Sequence, residues 1–95
     1  MEQITHTFPG STPLTRRAHV GVVGSGDLEV LIEPADSGAI VELRTSVDGF
    51  GGTWQAVLER FFSRTDVAAK VQINDFGATP GTVALRLAQA VEAAK

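Results

Sequence analysis

Alternation of apolar and polar residues, and the points where its period changes, constrain this chain more than any other feature. Ala39, Val41, Leu43, Thr45 and Val47 point one way and Glu42, Arg44 and Ser46 the other, a period of two that suits an extended strand. Gln3 to Phe8 alternates in the same way, with Ile4, His6 and Phe8 on one side. Arg17 to Val23 reads as a second strand and Asp27 to Glu33 as a third, with Leu28, Val30 and Ile32 on one face. Leu31 interrupts the polar side of that strand, so the face is expected to be partly covered. The period then lengthens. Trp54, Val57, Leu58 and Phe61 form one helical stripe, with Thr53 as the expected N-cap. Val71 and Ile73 alternate with Lys70, Gln72 and Asn74 as a fifth strand. Thr79 and Pro80 are an N-cap and a first-turn proline, and Val83, Leu87, Ala90 and Val91 mark a second helix.

The order β-β-β-β-α-β-α predicts an α+β fold. It is a two-layer α/β sandwich whose mixed, mostly antiparallel sheet carries both helices on one face. Residues 1–95 read as a single domain without repeats or low-complexity segments. Leu28 to Ile32 and Ala39 to Val47 are expected to pair antiparallel around the turn at Pro34 to Gly38. That pairing places Ser25 near Val47 and Asp48. A right-handed parallel crossover then returns the fifth strand, so that Asp75 to Pro80 emerges at the same end. Three loops are expected on one rim: Gly24 to Asp27, Asp48 to Gly52, and Asp75 to Thr79. Arg17 lies seven or so residues back along its strand, about 23 Å from Ser25 at the usual rise.

Composition narrows the function classes. Apolar residues make up 43%, enough for a folded core rather than a disordered chain. A net charge of −3, with Arg16-Arg17 the only basic pair, argues against nucleic acid as the main partner. No apolar run approaches the roughly 20 residues of a membrane span, and no signal peptide is visible, so the expected location is the cytoplasm. The chain has no cysteine, so any thioester chemistry requires a thiol on an added group.

Gly24-Ser25-Gly26-Asp27 joins two apolar runs and puts a serine at an exposed, unhindered tip. Two readings stay open on these residues alone: ordinary turn chemistry, or the attachment point of a covalent prosthetic group. Nucleophilic catalysis by Ser25 is disfavoured, because His6 and His19 are the only histidines and both read as satisfied structural residues. Asp27, Asp48 and Asp75 read as strand-end aspartates, with a docking patch or a transient Mg²⁺ contact as the sharper alternative. No metal site follows from their spacing. Gly77-Ala78-Thr79-Pro80-Gly81 opens a helix whose amides could hold a phosphate, but plain capping is the expected role.

Four segments carry a family resemblance. They are Met1 to Thr5, the run Gly21 to Leu31, Thr45 to Asp48, and Asp75 to Gly81. In these the chain resembles, nearly end to end, the acyl carrier (delta) subunits of bacterial malonate decarboxylase. A weaker likeness extends to the citrate lyase carrier subunit, which also places Ser-Gly-Asp before an apolar strand. The resemblance implies that Ser25 carries 2′-(5″-phosphoribosyl)-3′-dephospho-coenzyme A through a phosphodiester, with Gly24, Gly26 and Asp27 as the supporting turn. It implies acetyl and malonyl thioesters on the arm, and no catalytic residue in the chain itself. Its implied partners are an acetyl-carrier:malonate transferase subunit, the decarboxylase subunits, a prosthetic-group transferase and a malonyl-carrier acyltransferase. Two readings without a prosthetic group stand beside it: a ligand-sensing regulatory domain using the glycine-rich rim, and a structural adaptor that only holds other subunits together.

Overall fold

The computed structural model describes residues 2–95; Met1, which begins one of the family-like segments, lies outside the described residues. Its elements are β1 (Glu2–Phe8), β2 (Ala18–Gly21), β3 (Leu28–Pro34), β4 (Ala39–Thr45), α1 (Gly51–Arg64), β5 (Ala69–Asp75) and α2 (Pro80–Ala94). The sheet runs β1-β4-β5-β3-β2, with β4 and β5 parallel and the other neighbours antiparallel. Strict alternation of burial along β4 and β5 leaves one face apolar and one polar. Val30, Val41, Leu43, Val71 and Ile73 on the apolar face form one cluster with Trp54, Leu58, Phe62, Val83 and Leu87 of the helices. This is the predicted two-layer α+β arrangement. No helix among the described residues is long and apolar enough to cross a membrane.

The strand order corrects the expected pairing. β3 and β4 do not form a hairpin, because β5 lies between them. Val30 faces Ile73 and Val41 faces Val71, so the same alternation runs across all three strands. A central β5 has both of its backbone edges paired, which a position at the sheet margin would not allow. The Pro34–Gly38 segment bridges over the start of β5: Ala35 N–H donates to Ala68 C=O at 3.1 Å, and Ala69 N–H to Gly38 C=O at 3.0 Å. Asp75 is therefore the direct partner of both Leu28 and Thr45. The neighbour of the Ser25 turn becomes the loop after β5, and Val47 and Asp48 lie one strand further off.

Several boundaries also move. β2 ends at Gly21 rather than Val23, since Gly21 has φ +82° and a Cβ there would meet the Leu28 carbonyl oxygen at 2.1 Å. β4 ends at Thr45 rather than Val47, where Val47 N–H donates to Thr45 Oγ1 at 3.1 Å and turns the chain. α1 starts at Gly51 with Phe50 at the N-cap position and no side-chain cap, so Thr53 is already inside the helix and does not cap it. The buried stripe of α1 is Trp54, Leu58 and Phe62, with Val57 and Phe61 only partly covered. Phe62 stacks on Phe8 of β1 with centroids 4.9 Å apart, so the buried stripe includes Phe62 in place of the expected Phe61. α2 agrees with expectation: Thr79 Oγ1 accepts from Thr82 N–H at 3.2 Å, Pro80 opens the helix, and Val83, Leu87, Ala90 and Val91 are buried.

Candidate functional site

The Ser25 turn closes through Asp27 N–H donating to Gly24 C=O at 3.1 Å. Gly26, the third residue, has φ +76°, which marks a type II turn and explains the glycine there. Ser25 occupies the outward corner and is exposed. A Cβ on Gly26 would find no atom within 4 Å, so the space beside Ser25 is open. Val22 and Val23, leading into the turn, are 58% and 59% exposed.

Two contacts pin the base of the turn while leaving its tip free. Gly26 N–H donates to Phe76 C=O at 2.7 Å and Phe76 N–H to Asp27 C=O at 2.9 Å, continuing the β3–β5 ladder past the strands. Asp27 Oδ1 accepts from Leu28 N–H at 2.7 Å and from Arg86 Nε at 3.2 Å, and Oδ2 from Arg86 Nη2 at 2.7 Å. This two-pronged pair ties the hairpin to α2. Hydrogen bonding by Arg86, then by the Leu28 amide, holds the Asp27 carboxyl below its ordinary value, and Asp27 in turn raises Arg86. Asp27 thus supports the turn, and its carboxylate is already occupied. Arg86 has no role in the reading from sequence. Its position in the helical row of Val83 and Ala90 was the available signal, a cation at the margin of an apolar stripe.

Asp75 is buried and organises the next loop: Oδ2 accepts from Thr45 Oγ1 at 2.8 Å and Gly77 N–H at 3.2 Å, and Oδ1 from Ala78 N–H at 3.0 Å. The Gly77, Ala78 and Thr82 amides before and within the start of α2 are therefore engaged within the chain, which favours capping over phosphate binding. Asp48 is exposed on the loop after β4. Among the described residues no three His, Cys, Asp or Glu side chains are grouped so as to hold a metal ion.

The histidines divide. His19 is exposed and meets Glu29 Oε2 at 3.0 Å through Nε2. His6 departs from expectation: its Nε2 is buried without a hydrogen-bond partner among the described residues, beside Phe8 on the same strand. It stands on β1, at the opposite edge of the sheet from β2, about 19 Å away at the usual strand spacing. Neither ring is placed to serve Ser25 as a base. Arg17 pairs with Glu33 at 3.4 Å, toward the far end of β3, in keeping with its expected distance from Ser25.

Two of the three expected rim loops face each other across a cleft of about 310 Å³ between the starts of α1 and α2. Val47, Phe50, Trp54, Val57 and Val83 give it apolar walls, and Gly77 closes one side. The Ser25 turn joins this rim through Phe76.

Comparison with known proteins places this geometry in a family. Residues 15–94 match the family model for the malonate decarboxylase delta subunit. A malonate decarboxylase acyl carrier protein of Pseudomonas paraeruginosa is 54% identical, covering 99% of this chain and 97% of the relative. That of Azotobacter vinelandii is 49% identical, covering 97% and 95%. A chain in the crystal structure of a Pseudomonas malonate decarboxylase hetero-tetramer in complex with malonate superposes with a TM-score of 0.94, at 47% identity over the whole of both chains. On these matches the chain belongs to the malonate decarboxylase delta-subunit family, whose members are acyl carriers rather than catalytic subunits.

Proposed function

We propose that this chain is the acyl carrier of a malonate decarboxylase and that Ser25 is the covalent anchor of its prosthetic group, 2′-(5″-phosphoribosyl)-3′-dephospho-coenzyme A. The observation that carries the reading is the turn itself: Ser25 stands at the outward corner of a glycine-flanked bend whose base is pinned to β5 and α2. The residues present suit such a group. Ser25 is exposed at the corner, and a Cβ at Gly26 would meet no atom within 4 Å, which leaves room beside the anchor for a phosphodiester. The bound group supplies a terminal thiol able to hold an acetyl or malonyl unit as a thioester, and the chain, with no cysteine, contributes none of its own.

The work of the chain's own residues is presentation. Gly24 and Gly26 keep bulk away from the anchor, Asp27 and Arg86 hold the hairpin against α2, and exposed Val22 and Val23 offer an apolar margin to enzymes that approach it. Those partners are an acetyl-carrier:malonate transferase, the decarboxylase subunits, a prosthetic-group transferase and a malonyl-carrier acyltransferase, working together in the cytoplasm. Its likeness to a chain of a malonate decarboxylase hetero-tetramer supports assembly with enzyme subunits.

The test is intact mass of the carrier purified from its native host, followed by peptide mapping. The expected result is a mass increment confined to Ser25 and absent in Ser25→Ala, which also abolishes malonate decarboxylation. An unmodified chain in an active complex overturns the proposal.

A further inference from the structure

We infer that the cleft between the starts of α1 and α2 is a resting seat for the thiol-bearing end of the arm on Ser25, an inference that rests on the attachment proposed above. Its volume, about 310 Å³, is at the lower end of the roughly 300–1,000 Å³ of small-molecule sites. It suits the terminal part of an arm, not a whole nucleotide conjugate. The lining is of matching chemistry. Trp54, Val57 and Val83 give an apolar interior for an alkyl chain, and Thr53 supplies a hydroxyl for the amides that interrupt it. Phe50 and Val47 are 51% and 36% exposed, so a filled cleft covers apolar surface that is otherwise wet.

The connection to the anchor selects this occupant. Gly26 N–H donates to Phe76 C=O at 2.7 Å, and Gly77, the next residue, forms the cleft wall. A Cβ added to Gly77 would lie 3.9 Å from Gly26 N, so anchor turn and wall are in contact. A tethered group has an effective concentration of about millimolar, so a seat with a dissociation constant below about 1 mM is mostly filled. The residues that hold the turn in place therefore also hold the cleft within reach of the arm, and the seat shields the thiol between visits to the catalytic subunits.

The test uses the loaded carrier from its native host, deacylated with hydroxylamine. Because the chain has no cysteine, the arm provides the one thiol. Intact mass first establishes the added group on Ser25; its absence defeats the attachment reading and this inference with it. On loaded carrier, the rate of alkylation by N-ethylmaleimide is compared with that of the same thiol on free 3′-dephospho-coenzyme A. We expect the carrier thiol to react more slowly by about threefold or more, in proportion to the fraction of time it spends seated. Thr53→Phe, at an exposed position that lines the cleft, should fill the seat and restore the free rate while leaving the mass increment intact. A smaller slowing, as for a cleft reserved for a partner's side chain, overturns the inference alone. So does a slowing that Thr53→Phe does not relieve.

Discussion

The two ends of the sheet are held by different chemistry. At the far end, Asp66 accepts from the Ser11 amide at 2.8 Å and from the Ser11 and Thr12 hydroxyls at 2.9 Å each, all neutral donors. Leu14 is buried beneath that loop, and Thr15 and Arg16 amides close the end of α2 by donating to Ala94 C=O. At the Ser25 end, the corresponding aspartate, Asp27, leans on a cation reaching across from α2. Val22, Val23, Val47 and Phe50 are left exposed there. One end is closed with hydrogen bonds from neutral donors over an apolar plug. The other is pinned at its base and open at its tip. An open, partly apolar end is costly for an isolated chain and suits one that docks against other subunits.

The strongest way to break this contrast is Asp75→Ala. It removes the buried acceptor of the Thr45 hydroxyl and the half-buried acceptor of the Gly77 and Ala78 amides, and should cost about 2 kcal/mol in chemical denaturation. Loss of amide protection should concentrate at Gly26, Asp27 and Phe76, with Ser11 and Ala68 unchanged; uniform loss at both ends would show that they are not separately organised.

Arg86→Leu acts more locally. It should loosen the Ser25 hairpin in hydrogen exchange without changing the far end, and 1 M salt should reproduce part of that effect in the unaltered chain by screening a partly exposed ion pair. Acid sharpens the same comparison. Asp27 and Asp66 are both held below 3.8, so the stability each contributes is present above that pH and lost as the pH falls through the folded-state values. Both ends should therefore loosen in acid in the unaltered chain. In Arg86→Leu the Ser25 end should start looser and respond less, while the Asp66 end keeps its full response.

Ser25→Ala is expected to have the smallest effect on folding. An exposed corner residue should shift stability by about 0.5 kcal/mol or less in thermal denaturation, despite removing the proposed anchor. A larger loss would make Ser25 a structural residue of the turn.

Much of the fold was legible before any coordinates. The alternation over Ala39 to Val47 and the Thr79-Pro80 helix start are local patterns; the structure reproduces the first as far as Thr45 and the second in full. The Ser25 turn was legible too, because glycines around a serine between two apolar runs are turn chemistry; its type II form, with Gly26 at φ +76°, comes from the structure. The start of α1 was misread for a local reason. Thr53 is a better capping residue than Phe50, yet the glycines before it continue the helix backward to Gly51, where Trp54 N–H donates to Phe50 C=O. His6 was misread because alternation places a ring on a face without saying what polar atoms will be near it.

The succession of strands and helices, their apolar faces, the absence of a thiol and a glycine-flanked serine between two strands can all be read from the chain before it folds. These depend on periods of two and 3.6 residues and on single-residue backbone preferences. Tertiary structure alone decided that β5 separates β3 from β4, and that Asp27 meets Arg86, 59 residues away. It also decided that the Ser25 turn abuts the cleft wall. Several strands share the same alternation, so no local pattern selects among their possible neighbours. That selection follows from pairing both edges of the central strand while both helices cover one face, a condition that only the assembled chain can satisfy.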